Sequence, residues 1–208
     1  MRVLNIVASP RKEKSASVAI VDAFLCEYKA RVADLLVDTL DIWRERLPEF
    51  DTEAIDAKYK GVSGQPMTPV ETATWEKIRE LASRFQRADR LVLGVPMWNF
   101  SFPYKLKQLI DLSCQRNMLF TFDGKCYGPS LTIDKAFLAC VRGQSDDAGF
   151  KTVSQPRFEY VSGYIEFWLR FIGVRGVVTL TVEHTWDGLA ADMIDAGKRR
   201  AVELARQF

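Results

Sequence analysis

The sequence lacks the features that mark several large classes of protein. Its 208 residues carry a formal net charge of only +2, so no strong positive field points to nucleic acid or an anionic membrane as a partner. No apolar run approaches the roughly 20 residues that a helix needs to span a bilayer. The apolar run at residues 3–8 is too short, and too polar afterwards, for a secretory signal. We therefore expect a cytoplasmic protein that binds neither nucleic acid nor membrane.

Histidine and paired cysteines are scarce as well. His184 is the only histidine, and a single imidazole cannot build a metal site by itself. The four cysteines show no Cys-x-x-Cys spacing, so we interpret them as reduced thiols that serve mostly as small core residues. Cys114 and Cys140 have no adjacent histidine, which argues against a cysteine nucleophile. The sequence predicts no metal site and singles out no catalytic side chain.

Two common phosphate-binding motifs are also missing. No G-x-G-x-x-G follows the first apolar run, which argues against a Rossmann dinucleotide site. No G-x-x-x-x-G-K-[ST] is present, which argues against a P-loop nucleotide hydrolase. If the protein binds a nucleotide, another kind of loop must hold its phosphate.

The sequence does contain an alternation of apolar runs and segments with helical periodicity. The short apolar runs are typical of strands buried on both faces of a parallel sheet. With right-handed crossovers they predict a single domain, residues 1–208, with a flavodoxin-like α/β fold: a doubly wound five-stranded parallel sheet, order 2-1-3-4-5, with helices on both faces. The predicted strands are 3–8, 34–42, 91–95, 135–141 and 177–182, and the predicted helices are 16–31, 72–88, 104–114, 158–172 and 189–208.

Two segments fall outside this alternation. Residues 43–70 show little periodicity and contain several prolines and glycines, so we expect a long connection that lies over a neighbouring surface. Residues 118–133 contain Asp123-Gly124, a strong tight-turn signal, and predict a hairpin insertion.

The loop after the first strand is rich in hydroxyl groups. Ser9, Ser15 and Ser17, with Arg11 between them, lead directly into a predicted helix. Hydroxyl and backbone N–H donors at a helix N-terminus favour a phosphate, and the helix dipole adds to this preference. A monophosphate needs no glycine cluster here. The alternative interpretation is a polar surface loop with a serine cap.

The loop after the third strand, residues 96–103, is rich in aromatic rings. It carries Trp98, Phe100 and Phe102 but only one side-chain amide, Asn99. Rings on an exposed loop are costly in water, so we expect a flat ligand or a partner chain to cover them. The alternative for Trp98 and Phe100 is plain core packing.

Ligands bind at the carboxyl edge of open α/β sheets, where these two loops and a third loop are expected to meet. The third loop, residues 141–144, follows the fourth strand directly. A phosphate at the first loop, a flat ring against the second and further polar contacts from the third together describe flavin mononucleotide (FMN).

The run Pro96-Met97-Trp98-Asn99-Phe100 resembles the Pro-Met-Tyr-Asn-Phe signature of the FMN-dependent NADH azoreductases, which are also NAD(P)H:quinone oxidoreductases of flavodoxin-like fold. The resemblance spans nearly the whole chain. The further matches occur in the family's order: Ser9 and Ser15-Ala16-Ser17 in the phosphate loop, Lys105-Leu106-Lys107 opening the next helix, Arg142-Gly143 after the fourth strand, and Phe171-Ile172-Gly173-Val174 before the last strand.

This resemblance implies an activity and an assembly. The family pattern implies one FMN per subunit, NAD(P)H as electron donor, a quinone or azo compound as acceptor, and ping-pong hydride transfer. It also implies a homodimer with FMN near the subunit interface, which would cover residues 43–70 and the hairpin. The expected cofactor contacts are Ser9, Arg11, Ser15, Ala16, Ser17, Pro96, Met97, Trp98, Asn99, Phe100, Val141, Arg142, Gly143 and Gln144.

Within this set, the resemblance and the chemistry of a flavin separate two groups of contacts. Asn99 and the amide of Phe100 are expected at the O4/N5 edge, where the hydride arrives. Gly143, Gln144 and Arg142 are expected near the N1/C2=O end, where reduced flavin gains negative charge.

The sequence departs from the family pattern at three positions. Trp98 replaces a tyrosine, Val141 stands where serine is frequent, and Gln144 stands where glycine is frequent. The last two changes alter the side chains that the third loop offers, although its backbone N–H groups remain. Residues 144–157 are longer than usual for the family and are expected to reshape the substrate entrance.

Two other functions are compatible with the same fold. The first is an enzyme of the NADPH-dependent FMN reductase type, whose Ser-Pro-Arg start is shared at Ser9-Pro10-Arg11. The second is a flavodoxin-like electron carrier, which is a binding module and not an enzyme. Such carriers are typically strongly acidic, so the net charge of +2 disfavours this alternative.

Overall fold

A computed structural model describes residues 1–145 and 160–208. In these residues the chain forms seven strands and six α-helices. The strands are β1 (Arg2–Val7), β2 (Leu36–Asp41), β3 (Arg90–Pro96), β4 (Phe120–Phe122), β5 (Tyr127–Pro129), β6 (Ile133–Val141) and β7 (Val174–Val182). The helices are α1 (Ala16–Arg31), α2 (Thr52–Ser63), α3 (Pro69–Gln86), α4 (Tyr104–Ser113), α5 (Ser162–Ile172) and α6 (Ala190–Ala205).

Five of the strands form one parallel sheet in the order β2-β1-β3-β6-β7. This is the flavodoxin-like order 2-1-3-4-5 when the hairpin strands β4 and β5 are left out, so the predicted fold class is confirmed. The central strands are covered on both faces, and Leu91, Val92 and Leu93 of β3 are fully buried in consecutive positions.

Helices cover the two faces of the sheet. On one face α1 and α6 pack together, and Phe24 of α1 stacks on Phe137 of β6 with ring centroids 4.0 Å apart. On the other face α2 to α5 bury a larger cluster that includes Phe85 and Leu106. Each fully buried side chain of this size contributes about 1.5–3 kcal/mol to folding.

Helix α5 illustrates how the sequence encodes one of these layers. Its apolar residues Ile165, Trp168, Leu169 and Ile172 are buried and follow helical spacing. The helix ends at Gly173, whose φ of 115° is a left-handed conformation that suits glycine. A Cβ there would also lie 2.0 Å from the carbonyl oxygen of Leu131, so a side chain is excluded. The predicted start of this helix at 158 lies outside the described residues.

The expectation of an irregular connection over 43–70 is wrong. Helix α2 begins after Asp51, whose carboxylate accepts a hydrogen bond from the N–H of Ala54 at 3.2 Å. It ends at Gly64 in a left-handed cap. Its buried residues are the small Ala54 and Ala57, which leave only a weak apolar period in the sequence.

Helix α3 starts at Pro69, three residues before its predicted start at residue 72. Thr68 and Glu71 form a capping box, in which each side chain bonds the backbone N–H of the other residue. This capping pattern is readable in the sequence and would have placed the boundary correctly. Strands β6 and β7 also begin two and three residues earlier than predicted.

The predicted hairpin is confirmed. Strands β4 and β5 pair in antiparallel register, with Phe122 opposite Tyr127. The Asp123 carboxylate accepts hydrogen bonds from the N–H groups of Lys125 and Cys126, both at 2.8 Å. Both bonds hold the pKa of the Asp123 carboxyl below its usual range, and the bond from Cys126 has the larger effect. None of the helices in the described residues is long and apolar enough to cross a membrane.

Candidate functional site

The carboxyl ends of β1, β3 and β6 meet at one edge of the sheet. Val7 lies opposite Gly94, and Pro96 lies opposite Val141, so the three strands end at similar heights. Above them is a cleft of about 550 Å³, a size typical of small-molecule sites. It is lined by Ser9, Arg11, Lys14, Ser15, Ala16, Ser17, Pro96, Met97, Trp98, Asn99, Val141, Gly143, Thr185, Trp186 and Ile194.

The cleft brings together all but three of the residues predicted to contact a cofactor. Phe100, Arg142 and Gln144 do not line it. Four lining residues were not predicted: Lys14, Thr185, Trp186 and Ile194.

One end of the cleft is a hydroxyl cluster at the N-terminus of α1. Ser9, Ser15 and Ser17 are buried, and the hydroxyl oxygens of Ser15 and Ser17 are 3.0 Å apart. Ser15 is the N-cap residue, but its side chain makes no capping hydrogen bond. The first turn of α1 therefore keeps N–H groups that no side chain within the described residues satisfies. An anion placed here would be held by these donors and by the helix dipole.

Two cations border this end of the cleft. Arg11 and Lys14 line it, whereas Lys12 between them turns away to an ion pair with Asp41 at the end of β2. Burial opposes ionisation of Asp41, but hydrogen bonds from Lys12 and from the N–H of Trp43 outweigh it and keep the pKa of Asp41 below its usual range. This pairing fixes the loop between β1 and α1.

The aromatic loop after β3 forms a tight turn. The backbone groups of Trp98 and Ser101 exchange two hydrogen bonds, of 2.7 and 2.9 Å. The two central residues are left-handed, Asn99 with φ of 47° and Phe100 with φ of 66°. Such a turn normally takes asparagine or glycine, and a bulky residue at φ above zero costs about 1–2 kcal/mol. Strained backbone of this kind clusters at ligand sites.

The turn exposes the one amide of the loop to the cleft. Asn99 is exposed, lines the cleft and has no hydrogen-bond partner for its side chain among the described residues. Its carboxamide can both donate and accept a hydrogen bond to a ring that enters the cleft.

Trp43 braces this loop from the side. Its ring lies 6.0 Å from that of Trp98 and meets Tyr104 edge-on at 5.5 Å, and its Nε1 donates to the carbonyl of Ala8 at 2.9 Å. The Nζ of Lys105 lies 5.6 Å above the Trp43 ring. Sequence reasoning missed Trp43 because it falls at the start of the segment predicted to be irregular. A large ring directly after the second strand was the available signal.

Arg142 holds the third loop instead of lining the cleft. Its guanidinium, only about a tenth exposed, pairs with one oxygen of Glu183 through Nη2 at 2.5 Å and Nε at 3.0 Å. This links the end of β6 to the end of β7. Gln144 is exposed. The prediction that the segment 144–157 is longer than usual falls, from residue 146 onward, outside the described residues.

The loop after β7 supplies residues that the sequence reasoning did not predict. The hydroxyl of Thr185 donates to the carbonyl of Arg142 at 2.9 Å. His184, which was interpreted as a surface residue, is half-buried and bonded through Nδ1 to Asp187 at 2.7 Å. This bond, and one from the N–H of Leu189, hold the pKa of Asp187 below its usual range. The last strand of the parallel sheet also ends at this edge, and this could have predicted that the loop after it contributes to the cleft.

The composition of the cleft decides which ligands fit. No carboxylate lines it in the part of the chain that the structure describes, and no cluster of three or more metal-ligating side chains occurs among the described residues. Donors and cations lie at one end, and Met97, Trp98 and Val141 give apolar surface at the other. A phosphate joined to a flat ring, as in FMN, matches both ends.

Comparison with known proteins agrees with this geometry. The sequence profile of the flavodoxin-like fold family matches residues 1–205. The chain belongs to the flavodoxin-like family. This flavodoxin-like protein is 56% identical over 208 residues to FMN-dependent NADH:quinone oxidoreductase 2 of Burkholderia lata, and the match covers 100% of both chains. It is 34% identical over 206 residues to FMN-dependent NADH:quinone oxidoreductase of Nitratidesulfovibrio vulgaris, covering 99% of this chain and 97% of the relative.

Solved structures of the same fold include azoreductases. The azoreductase of Bacillus anthracis strain Sterne superposes with a TM-score of 0.88 at 26% identity and covers 100% of both chains. An FMN-dependent NADH-azoreductase from Bacillus anthracis strain Ames Ancestor, solved in complex with FMN, superposes with a TM-score of 0.87, covering 99% of this chain and 98% of that one. At 20% identity the second match supports the fold alone. The family resemblance predicted from the signature at 96–100 is confirmed.

Proposed function

We propose that this flavodoxin-like protein is an oxidoreductase that binds one FMN per subunit and uses NAD(P)H to reduce quinones and azo compounds. The observation that carries the proposal is the cleft at the carboxyl edge of β1, β3 and β6, with phosphate donors at one end and an apolar, strained loop at the other. The name of the Burkholderia lata relative, at 56% identity, supports the same cofactor and acceptor class.

The hydroxyl cluster is assigned to the FMN phosphate. The buried hydroxyls of Ser9, Ser15 and Ser17 and the first N–H groups of α1 would donate to the phosphate oxygens. Arg11 and Lys14 would add positive charge from the rim. Riboflavin lacks the phosphate and should therefore bind more weakly than FMN.

The loop at 96–100 is assigned to the flavin ring. When bound, FMN would supply the redox chemistry, the transfer of a hydride equivalent from NAD(P)H to a two-electron acceptor. Met97 and Trp98 offer the apolar surface that lies along the ring, and the Asn99 carboxamide is assigned to its O4/N5 edge. Gly143 would place backbone near the N1/C2=O end, where negative charge develops.

Proton transfer in this scheme needs no side chain of the cleft. Neither a carboxylate nor an imidazole lines it among the described residues, so the protons are assigned to solvent. Donor and acceptor would occupy the same open face in turn, which gives ping-pong kinetics.

We also propose that a second copy of the chain completes the site as a homodimer with the cofactor near the interface. Tyr127 of the hairpin and Phe167 of α5 are about two-thirds exposed and both contact Phe171, which makes a continuous aromatic surface. Phe102, in the loop after β3, stacks on Tyr164 of α5 at 5.1 Å and so connects this surface to the proposed site.

The assembly can be tested separately from the chemistry. Sedimentation velocity of the wild-type protein should give a dimer, and Phe167→Glu should give a monomer because a charge would face the partner's rings. Leu36→Glu is the matched control, since Leu36 is comparably exposed but lies on the edge strand β2, outside residues 43–70 and the hairpin. A wild-type monomer at micromolar concentration would contradict the assembly.

We place the protein in the cytoplasm, as one domain over residues 1–208. All four cysteines are free thiols, as expected in a reducing compartment.

One experiment tests the cofactor and the activity together. Purified protein freed of ligand should quench FMN fluorescence with a one-to-one end point, and stopped-flow mixing with NADH or NADPH should bleach the flavin absorbance. A quinone should then restore the absorbance without releasing FMN. Failure to quench FMN at micromolar concentration would refute the proposal.

The same experiment separates the two alternative functions. Flavin that binds but is bleached by neither nicotinamide would identify an electron carrier. Reduction followed by release of the flavin into solution would identify an FMN reductase.

A further inference from the structure

Trp186 presents an indole ring to water at the rim of the cleft. At 85% exposed it has the largest exposed fraction of the large apolar side chains in the described residues. A single exposed ring is common on protein surfaces, so it is the position of this one in the cleft that points to a ligand. Trp186 lines the same cleft as the hydroxyl cluster and Asn99.

The backbone that carries this ring is held in place. Thr185 is bonded to the carbonyl of Arg142 through both its N–H, at 3.3 Å, and its hydroxyl, at 2.9 Å. On the other side, Asp187 accepts hydrogen bonds from the N–H of Leu189 and pairs with His184. The indole therefore extends from an anchored turn, which reduces the entropy that a ligand must remove to pack against it.

The position of Trp186 is given by its close contact with Gly143. A Cβ at position 143 would lie 3.1 Å from the Cβ of Trp186, so the tryptophan stands directly beside the glycine backbone. Gly143 is the residue that the proposed function places near the N1/C2=O end of the flavin. Because the sheet order is β2-β1-β3-β6-β7, Trp186 after β7 flanks the cleft on the side away from Trp43 after β2.

We infer that Trp186 is a cofactor-retaining residue, whose indole packs against the flavin ring system beside Gly143 and shields it from water. This inference rests on the proposed function, since FMN must occupy the cleft. In this arrangement Trp186 retains the flavin ring of the cofactor. The N-terminus of α1, where Arg11 and Lys14 lie, retains its phosphate.

The assignment predicts a distinctive pattern of affinities. Removal of the indole should weaken FMN and riboflavin by the same factor, because both carry the ring. We expect about tenfold for Trp186→Ala, the factor that 1.4 kcal/mol of stacking gives. Trp186→Phe keeps a ring and should lose less. Lys14→Ala should weaken FMN alone, because riboflavin has no phosphate.

The experiment measures dissociation constants of ligand-free protein by flavin fluorescence, with no turnover required. The variants are Trp186→Ala, Trp186→Phe and Lys14→Ala, each titrated with FMN and with riboflavin. Tyr59→Ala is the control, because it removes another exposed ring outside the cleft and should leave both constants unchanged. Thermal unfolding checks that each variant is folded. We expect the Trp186 variants to fold normally, because the side chain is exposed.

The outcomes separate this inference from the proposed function. If wild-type protein binds FMN and Trp186→Ala binds both flavins as tightly as wild type, only the inference is overturned. The same holds if Trp186→Ala changes the sedimentation coefficient while the flavin constants stay fixed, because a partner chain then covers the ring. If wild-type protein binds neither flavin, the proposed function fails and this inference fails with it.

Discussion

The backbone of β3 touches the first turn of α1 at Gly94 and Ser17. A Cβ on Gly94 would lie 2.9 Å from the carbonyl oxygen of Ser17 and 3.1 Å from a methyl group of Val21. Only glycine permits this approach, and the contact sets the N-terminus of α1 directly over the end of β3. The same contact therefore holds the hydroxyl cluster in register with the aromatic loop that follows β3.

Gly94→Ala should weaken both folding and FMN binding. The added methyl must push α1 away from the sheet, an overpacking effect that costs about 1–3 kcal/mol. Urea unfolding should show this loss, and fluorescence titration should show weaker binding of FMN. Gly176→Ala in β7 is the control, since a Cβ there meets its nearest neighbour at an ordinary 3.6 Å. Equal stability of the two variants would contradict the close contact.

The role of Asn99 can be separated from the strain of its turn. Asn99→Gly and Asn99→Ala both remove the carboxamide, but glycine tolerates the φ of 47° and alanine does not. Both variants should bleach the bound flavin with NADH about tenfold more slowly, the effect of losing one transition-state hydrogen bond of about 1.4 kcal/mol. Only Asn99→Ala should also lose about 1 kcal/mol of stability.

Stopped-flow absorbance and urea unfolding measure the two effects independently. If Asn99→Gly reduces the flavin at the wild-type rate, the carboxamide has no part in hydride transfer. If both variants lose stability equally, the left-handed turn is not the source of the strain.

The ion pair between Lys60 of α2 and Glu71 of α3 should make stability depend on pH. The Lys60 ammonium, 2.7 Å from a Glu71 oxygen, and the N–H of Thr68 hold the pKa of Glu71 below its ordinary value of 4.5. Because the folded-state pKa is the lower one, the pair stabilises the protein above about pH 4.5 and the contribution is lost as pH falls through the folded-state pKa.

The matched variant for this pair is Glu71→Gln, which keeps a side chain able to accept the capping hydrogen bond from Thr68 but loses the charge. Urea unfolding at a series of pH values should show a smaller loss of stability on acidification in Glu71→Gln than in wild type. Glu76→Gln, at an exposed position of the same helix, is the control and should follow wild type. Parallel curves for wild type and Glu71→Gln would refute the linkage.

Local patterns in the sequence accounted for most of the fold and for much of the site. Consecutive apolar residues such as Leu91 to Leu93 are typical of strands buried on both faces, and they predicted the parallel sheet. The strand ends then placed Ser9 and Asn99 at one edge. Both line the cleft that the structure shows.

The missed features are those whose signal is tertiary. Helix α2 buries alanines, so its apolar periodicity is weak, and only its capping residues, Asp51 and Gly64, indicate it in the sequence. Trp43 and Trp186 follow the two edge strands, and that position alone does not tell whether a ring packs against the aromatic loop, as Trp43 does, or lines the cleft, as Trp186 does. Arg142 was expected near the flavin because of its position in the loop, yet its direction is set by Glu183, 41 residues away.

Arg142→Met tests whether this arginine acts through the loop or on the flavin. Its partner Glu183 is about a third exposed, so we expect a loss of about 2 kcal/mol, below the 3–5 that breaking a fully buried pair costs. Arg142→Lys keeps the charge but loses the two-point contact, so its stability should lie between that of wild type and that of Arg142→Met. In a double-mutant cycle by urea unfolding, Arg142→Met and Glu183→Leu should be strongly non-additive.

The reduction potential of the bound flavin distinguishes the two roles. A guanidinium that only links β6 to β7 should leave the potential of Arg142→Met equal to that of Glu183→Leu, because each variant loosens the same loop. A guanidinium near the N1/C2=O end would stabilise the reduced flavin, so Arg142→Met alone would lower the potential. The hydrogen bonds from Nε and Nη2 hold the guanidinium against Glu183, and Arg142 does not line the cleft, so we expect equal potentials.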